Sequence, residues 1–269
     1  MGDAQVAQSR DAFSTYWNPA GLPAAARNSA AVSYYRWIAD TGTYSAATRF
    51  RVGEQGGLGL FATAMASGDL EARQGPGEPD GTFGVQFIST GASYGHGLGP
   101  LRAGVTAKFL TERIHNRSAN GYAFDVGLQA DLMRGGVHLG AVVQNLGEMS
   151  ELVVESTPLP KAFRAGVGVY PLKVLLADSD IPLVETLLVG QVSHFFDSDF
   201  ARTQVHVGLS VAVLETIDVR AGYISNDAVR SLSFGTGFDY EGFIFDYAFM
   251  LFESGFAGPG HLLTFGYSW

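Results

Sequence analysis

The sequence contains no cysteine, which excludes disulfide bonds and thiolate metal sites. Charge is scarce as well: Asp, Glu, Lys and Arg make up 16% of the 269 residues, whereas a typical soluble domain has about 25%. The net charge is −9, and no run of basic residues is present. This argues against nucleic-acid binding, because few positive charges are available to neutralise phosphates. We therefore expect no nucleic-acid partner.

Long hydrophobic runs are also lacking. No stretch approaches the ~20 apolar residues that a transmembrane helix needs. The nearest candidate, GFIFDYAFMLF (242–252), carries Asp246 at its centre and has the length of a strand. The mean hydropathy is nevertheless slightly positive, at +0.12. A chain with so little charge either exposes a large apolar surface to water or faces lipid.

What the chain does contain, from about residue 29 onward, is alternation of apolar and polar residues. The clearest runs are LRAGVTAKFL (101–110), GYAFDVGLQADL (121–132), TQVHVGLSVAVL (203–214) and GHLLTFGYSW (260–269). Strict alternation marks a half-buried β-strand. The length of these runs matches tilted membrane-spanning strands of about 9–11 residues.

Turn residues separate the runs and give a strand count. Segments such as GEQGG (53–57) and HGLGP (96–100) are rich in glycine and end each run. About fourteen strands are predicted, with starts near residues 29, 42, 56, 82, 99, 119, 136, 160, 184, 201, 217, 229, 242 and 259. An even number of such strands predicts an all-β, antiparallel transmembrane barrel in a single domain. Longer connections at 68–81 and 148–159 would lie on one side of it, and 172–182 on the other.

A soluble β-sandwich would also alternate, but its solvent face would carry ordinary charge. Here the polar members are mostly small or neutral, and aromatic residues occur near strand ends, as in the girdles of membrane barrels. These residues are Tyr34, Tyr44, Tyr122, Phe243, Tyr267 and Trp269. The final Phe265, Tyr267 and Trp269 also resemble the insertion signal read by the barrel assembly machinery of bacterial outer membranes. The alternative is that Trp269 only ends a core strand.

The opening segment MGDAQVAQSRDAFSTYWNPAGL closely resembles the N-terminal segment of the PorV/PorQ family of outer-membrane proteins, which belongs with the FadL-type barrels. Met1-Gly2, Ala4, Asp11-Ala12 and residues 17–22 match the family pattern in order. Further matches include GAVVQNLG (140–147) and LPKAFRAGVGVYP (159–171), so the resemblance covers nearly the whole chain. Because this Met lies inside mature family members, we expect a precursor with a signal peptide and a location in the bacterial outer membrane.

The resemblance implies that residues 1–28 form a hatch in the lumen and that residues 29–269 form a fourteen-strand barrel. The hatch motif is Trp17, Asn18, Pro19, Ala20 and Gly21. Pro19 fixes φ, Gly21 permits a tight reversal and Asn18 can end a helix. We expect Tyr16 and Trp17 to supply bulk against the inner wall. The alternative is a disordered or surface-lying leader.

Cofactor-binding motifs are absent from the sequence. It has no P-loop and no GxGxxG that leads into a helix. The six His form no HxxxH or HxH pair, and the acidic stretch at 68–81 lacks EF-hand spacing. His138 and His206 occupy inward-type positions, where such residues usually bond a neighbouring strand. We expect a non-enzymatic protein without a metal or a cofactor.

Three functions remain open. The PorV/PorQ resemblance implies a component of a type IX-like secretion or envelope assembly that docks partners and cargo, although the outer loops are short. The broader FadL resemblance implies passive transport of a hydrophobic small molecule, with a kinked strand such as QGGLGLF (55–61) opening the wall. The third is a structural subunit of an outer-membrane complex. In each case outer-membrane lipid and the assembly machinery are expected partners.

Overall fold

The computed structural model describes residues 1–38, 41–68, 70–73, 75–175, 183–196, 203–214, 216–252 and 258–269. The strands in these ranges are β1 (Ser29–Arg36), β2 (Gly42–Val52), β3 (Gly56–Ala66), β4 (Leu70–Ala72), β5 (Gly81–Phe83), β6 (Val85–Leu98), β7 (Leu101–Ile114), β8 (Arg117–Leu132), β9 (Val137–Met149), β10 (Ala162–Val169), β11 (Val184–Phe195), β12 (Thr203–Val213), β13 (Ile217–Ile224), β14 (Arg230–Tyr240), β15 (Phe243–Phe252) and β16 (Gly260–Ser268). Of the strands described, fourteen form one closed barrel, and β4 and β5 form a separate two-stranded sheet. The prediction of an all-β barrel of about fourteen strands is confirmed.

Antiparallel pairing between neighbours closes the barrel. β3 pairs with β6 across the small β4–β5 hairpin, and β1 pairs with β16, where Ser29 lies opposite Ser268. The predicted strand starts agree closely with the observed ones. The largest difference is at β6, which was expected near residue 82 and begins at Val85.

The helical segments are short. They are α1 (Ser14–Trp17), a 3-10 helix at Pro19–Ala24, a 3-10 turn at Met133–Gly135 and α2 (Pro171–Leu175). Within the described ranges, no helix is long and apolar enough to cross a membrane.

The two ends of the barrel differ in their connections. We call the end where β1 begins and β16 ends the terminal end, and the opposite one the far end. Most terminal-end turns are short, and the exception is the β10–β11 connection, which begins with α2 and of which residues 176–182 lie outside the described residues. The far end carries the long β3–β6 and β9–β10 connections. This places the predicted connections at 68–81 and 148–159 on one side, as expected.

The two faces of the wall differ as the alternation predicts. On β8, Phe124 and Leu128 point outward and are 49% and 59% exposed, whereas the inward Asp125 and Gln129 are 0% and 2% exposed. An apolar outer face is typical of a lipid-facing barrel wall.

Aromatic residues collect near both ends of the outer face. At the far end the rings of Tyr34 and Tyr44 have centroids 4.8 Å apart, and at the terminal end those of Phe243 and Tyr267 are 4.7 Å apart. Trp269 continues the second group, 6.1 Å from Tyr267. Two aromatic groups at opposite ends match the arrangement of interfacial girdles.

Candidate functional site

Residues 1–28, which we call the N-terminal segment, contact inward-facing residues around most of the barrel. Its backbone and side chains bond residues of β2, β7, β8, β9, β11, β12 and β14. A single segment that reaches strands on opposite sides of a closed barrel lies inside the lumen. Its most deeply buried side chains include Val6, Asn18 and Leu22.

Asn18 holds the centre of the segment. Its Nδ2 donates to the carbonyl oxygen of Val6 at 2.9 Å and to that of Leu128 on β8 at 3.1 Å. Its Oδ1 accepts from the backbone N–H of Ala20 at 3.1 Å, which caps the 3-10 helix that Pro19 begins. One buried amide therefore joins the segment to itself and to the wall.

Three inward glutamine side chains bind the backbone of the segment. Gln129 donates to the carbonyl oxygen of Val6 at 2.9 Å, and Gln191 accepts from the N–H of Val6 at 3.0 Å. Gln144 donates to the carbonyl oxygen of Tyr16 at 2.8 Å. Because irregular backbone cannot satisfy its own polar groups, these amides provide the partners that water would otherwise supply.

A row of glycines on the inner wall makes room for the segment. A Cβ atom on any of them would lie less than 3.0 Å from an atom of residues 1–22, so any larger residue would require the segment to shift. These glycines are Gly57, Gly59, Gly95, Gly104, Gly127, Gly140, Gly166, Gly168, Gly208 and Gly222. Their role is close approach between the wall and the segment.

Charged side chains anchor the segment near the terminal end. Arg49 of β2 is fully buried, and its guanidinium donates to the carbonyl oxygens of Leu22, Ala25 and Arg27.

Asp131 is the centre of a second anchor. Arg10 of the segment lies 2.7 Å from Asp131 Oδ1, and Arg102 of β7 lies 2.5 Å from Oδ2. His138 of β9 approaches Oδ1 at 2.6 Å through Nδ1. Loss of Asp131 would be costly, because it would leave the buried Arg102 and His138 without their shared carboxylate partner.

The start of the segment is tied to the far end through Arg230. Its Nη1 lies 2.6 Å from Asp3 Oδ2 and its Nη2 lies 3.0 Å from Asp227 Oδ2, while its guanidinium carbon lies 5.5 Å from the ring centroid of Trp37. Burial alone would raise the pKa of Asp3, but the ion pair with Arg230 outweighs burial and holds the pKa below its ordinary value. Burial is likewise outweighed at Asp227, whose pKa is lowered by the Arg230 backbone N–H and guanidinium.

The β9–β10 connection (residues 150–161), which we call the cap segment, turns into the far end of the lumen. Leu159 is 5% exposed and packs on the inward residues of a group that we call the far-end cluster. The cluster contains Phe87, Leu110, Ala119, Ala123 and Met149. Thr157 Oγ1 donates to Glu112 Oε2 at 2.6 Å, which fixes the cap segment to β7.

A bulge in β9 supports the cap segment. The β8–β9 register shifts between Phe124 and Val126, and the bulged Asn145 has φ of 60°. Its Nδ2 donates to the carbonyl oxygen of Pro160 at 2.9 Å, and its Oδ1 accepts from Lys108 Nζ at 2.8 Å. The bulge therefore turns a side chain out of the ladder and toward the cap segment.

The lumen is less filled beside β15, β16 and β1. Most inward side chains there are only partly buried, unlike those of β8, and we call this region the open strip. It is lined by Ser33, Ile244, Asp246, Ala248, Leu262 and Thr264. Tyr16 of the segment is 47% exposed although its carbonyl bonds the inner wall, so it too borders free lumen volume.

Solved structures match the whole of this architecture. The toluene transporter TbuX of Ralstonia pickettii aligns with a TM-score of 0.64 and 11% identity over 100% of this chain and 98% of that chain. The toluene transporter TodX of Pseudomonas putida gives 0.62 and 8% over 96% and 94%, and a Pseudomonas aeruginosa FadL homologue gives 0.55 and 9% over 99% and 95%. The chain has the fold of these barrels. No family model matches the sequence, and neither does any curated protein.

These matches support the sequence resemblance in its barrel architecture but not in its closer family assignment. They support the FadL-type barrel architecture, which is that of outer-membrane proteins. The closer resemblance to PorV/PorQ proteins stays a prediction, and so does the secretion role that it implies.

The predicted motif residues lie in two separate places. Asn18, Pro19, Ala20 and Gly21 are buried inside the barrel, and Trp17 is partly buried. Phe265, Tyr267 and Trp269 point outward and are 56%, 42% and 50% exposed. The motifs are therefore not parts of one site.

The expectation that Tyr16 and Trp17 wedge against the inner wall is wrong for Tyr16. Its ring faces open lumen and stacks edge-on against Trp17 at 5.0 Å, while its backbone carbonyl makes the wall contact. Pro19 and Leu22 supply the bulk instead, against glycines of β3, β6 and β7.

The two inward histidines bond neighbouring strands, as their positions suggested. His138 bonds Asp131 of β8, and His206 bonds Ser193 Oγ of β11 at 2.9 Å through Nε2. His206 Nδ1 also meets the carbonyl oxygen of Gly2 at 2.7 Å. Both residues thus take part in holding the N-terminal segment.

The residues that hold the segment most firmly are not among those predicted from the sequence. They are Arg49, Arg102, Gln129, Gln144, Gln191 and Arg230. A usable signal was present, because long polar side chains and glycines recur at inward positions of the alternation. In an empty lumen neither would be required.

Proposed function

We propose that this protein is an outer-membrane barrel that lets hydrophobic small molecules pass without chemistry, and that residues 1–28 are its hatch. The terminal end, with the shorter turns, faces the periplasm, and the far end faces outward. In this arrangement Trp17, Asn18, Pro19, Ala20 and Gly21 hold the hatch closed, and Phe265, Tyr267 and Trp269 serve insertion. The proposal requires no cofactor or metal.

The far-end cluster carries this proposal. A porin interior is polar and filled with water, whereas here the inward face near the outer mouth carries Phe87, Leu110 and Met149, on which Leu159 of the cap segment packs. An apolar mouth favours entry of apolar molecules over ions and sugars, since the latter would lose hydration there. The shared fold with two toluene transporters supports the same class of permeant.

The open strip supplies a route past the hatch. It runs along β15, β16 and β1, whose glycines do not contact the hatch. Ile244, Ala248 and Leu262 give it apolar side chains, beside Thr264 and the ion pair of Asp246 with Arg220. A permeant that enters at the far-end cluster would pass along this strip toward the terminal end.

Uptake of radiolabelled toluene by bacteria that express the chain tests the proposal. We expect faster uptake than in cells without the barrel, and a slower rate when Ala248→Trp fills the open strip. Ala107→Trp, on the outward face of β7, is the matched control and should leave the rate unchanged. Equal uptake with and without the barrel would overturn the proposal. A barrel that lets sugars into proteoliposomes, measured as swelling, but does not speed toluene uptake would overturn it as well.

The docking function implied by the PorV/PorQ resemblance is tested by what co-purifies. Gentle extraction from the native membrane would recover translocon components or cargo if the barrel serves secretion. A barrel that purifies alone and accelerates toluene uptake would favour passive transport over both docking and a purely structural role.

A further inference from the structure

Arg164 of β10 is a guanidinium inside the barrel that has no polar partner. It has the inward parity of Gly166 and Gly168, which contact the N-terminal segment, and it lies opposite the fully buried Ser193 of β11. Within the described ranges it makes no hydrogen bond and no ion pair, and protein encloses its Nε without an acceptor. Other guanidiniums of the lumen are paired with carboxylates or carbonyl oxygens, namely those of Arg10, Arg49, Arg102, Arg220 and Arg230. An enclosed donor without an acceptor calls for a ligand that supplies one.

Aromatic rings lie beside Arg164. Its guanidinium carbon is 5.6 Å from the centroid of the Phe195 ring. Gln144 of β9 is the diagonal neighbour of Arg164 across the β9–β10 ladder, and its side chain holds the backbone carbonyl oxygens of Tyr16 and Trp17. This brings the rings of Tyr16 and Trp17, which meet edge-on at 5.0 Å, to the part of the lumen that Arg164 faces.

The charge of Arg164 acts on Tyr16. The Tyr16 ring faces lumen space that the wall encloses, which raises the pKa of its phenol, and the charge of Arg164 opposes this rise. The same charge acts on Asp3, but that carboxylate is held by Arg230 at 2.6 Å. Arg164 therefore lies near the ring of the segment and has no carboxylate of its own.

The polar groups around this space are mainly donors. A guanidinium and an indole N–H only donate hydrogen bonds. Within the described part of the chain, neither the indole N–H of Trp17 nor the hydroxyl of Tyr16 has a hydrogen-bond partner. A carboxylate is the acceptor that suits this set best, because its two oxygens match the planar fork of Arg164.

The room beside Arg164 is short along the strand. On the far-end side, Ala162 is 1% exposed where the cap segment joins β10. On the terminal-end side, a Cβ on Gly166 would lie 2.8 Å from Val6 of the segment. The two positions are separated by about 13 Å, at a rise of about 3.3 Å per residue. A single ring with a carboxylate fits this height, whereas an extended long-chain acid would have to leave it sideways.

An unpaired guanidinium, aromatic rings and a short space together match one class of ligand. We propose that the lumen beside Arg164 binds an aromatic carboxylate, with Arg164 on the carboxylate and the rings of Tyr16 and Trp17 against the ring of the ligand. The inference rests on the proposed function in that the ligand enters through the far end. It deepens that function by adding a charged aromatic class to the hydrophobic molecules.

Equilibrium binding of radiolabelled benzoate to the purified barrel in detergent tests the site. Wild-type protein should bind benzoate saturably, and Arg164→Gln should lower the affinity at least about tenfold, since charge-assisted hydrogen bonds are lost. Arg164→Lys keeps the charge without the planar fork and should lie between the two. Arg113→Gln, on an exposed residue of β7, is the matched control and should bind as wild type does. Heat-modifiable migration in SDS gels establishes that each variant is a folded barrel.

Benzamide separates the charge of the ligand from its ring, because it has the same ring and no charge. It should bind wild type and Arg164→Gln with equal, weak affinity. Equal affinity of these two proteins for benzoate would overturn the site. Tighter binding of decanoate than of benzoate would overturn the aromatic class, since a straight-chain acid would then be the occupant. Full displacement of benzoate by an equal concentration of inorganic phosphate would overturn it too, since the ring would then contribute nothing.

The two proposals fail separately. Benzoate binding is measured on the purified barrel and requires no passage, so equal toluene uptake with and without the barrel would overturn the proposed function and leave this site intact. A barrel that accelerates toluene uptake but does not bind benzoate would overturn this site alone.

Discussion

Asn18 lies directly on the backbone of β8 at Gly127, without a wall side chain between them. Its Nδ2 donates to the carbonyl oxygen of Leu128 at 3.1 Å, and a Cβ on Gly127 would lie less than 3.0 Å from its Oδ1. At this point the wall holds the N-terminal segment through its own backbone and a glycine, in addition to the long polar side chains that bind the segment elsewhere.

Substitution of Gly127 by Val should displace the segment. The new side chain would overlap Asn18, and overpacking of this kind costs about 1–3 kcal/mol. We expect faster proteolysis within residues 1–28 of the folded barrel. Gly84→Ala is the matched control, because a Cβ at Gly84 meets nothing within 4 Å. Equal cleavage of the two variants would argue against close packing at Gly127.

Replacement of Asn18 by Ala should loosen the segment from its centre. The carbonyl oxygens of Val6 and Leu128 would lose their donor, which costs about 1–3 kcal/mol. Because the chain has no cysteine, Ser14→Cys introduces a single reporter at a buried position. Its maleimide labelling should rise at least about tenfold in Asn18→Ala. An unchanged rate would mean that the glycine contacts suffice to hold the segment.

The barrel was predictable from the sequence because the alternation of apolar and polar residues is a local property of each strand. Val105, Phe124 and Leu128 alternate with polar neighbours, and this fixes both the strand and the face that each residue occupies. The contents of the lumen were less accessible. The partners Gln191 and Val6 are 185 residues apart, and no local pattern joins them.

The same limit applies to the aromatic residues of the segment. The large side chain of Tyr16 was expected to pack against the inner wall. Whether a ring packs there depends, however, on which wall positions are glycine. Gly57, Gly95 and Gly104 are aligned with Leu22 and Pro19 instead. The glycines on the wall, rather than the residues of the segment, thus determine which hatch side chains become buried.

Acid should release the start of the segment. The pKa values of Asp3 and Asp227 are lowered in the folded protein, so both carboxylates stabilise it above their ordinary pKa of about 3.9. This stabilisation is lost as the pH falls through the folded values, that is, below about pH 4. Hydrogen exchange of residues 2–9, corrected for intrinsic rates, should accelerate there.

Asp3→Asn serves as the reference for this experiment. It should exchange faster at neutral pH and show little further change in acid, whereas Glu78→Gln, on an exposed far-end residue, should behave as wild type does. If Asp3→Asn keeps the full acid response, the ion pair with Arg230 is not the group that titrates.

Weakening of the cap segment should open the far end. Leu159→Ser removes the side chain that packs on Leu110 and Met149 and places a hydroxyl there, at a cost of about 2–5 kcal/mol to the closed arrangement. We expect toluene uptake to rise while the barrel stays folded. Val154→Ser, in the same segment but 77% exposed, should have no effect. Lower uptake in Leu159→Ser would indicate that the cluster itself, rather than its opening, is needed for entry.

Removal of Trp269 should lower the amount of assembled barrel in the membrane while precursor levels stay unchanged. Its ring belongs to the terminal-end aromatic group, and its backbone N–H and carbonyl exchange hydrogen bonds of 3.0 Å with Asn28 where β16 meets β1. Deletion thus removes both the aromatic terminus and the last pairing of the closing strands. Trp269→Ala separates the two effects, because it removes the ring and keeps the backbone pairing, whereas Trp269→Phe keeps both the pairing and an aromatic ring. We expect near-normal assembly for Trp269→Phe and reduced assembly for Trp269→Ala, measured as the heat-modifiable fraction in SDS gels. Normal assembly of both Trp269→Ala and the deletion would show that the terminal aromatic residue is no insertion signal.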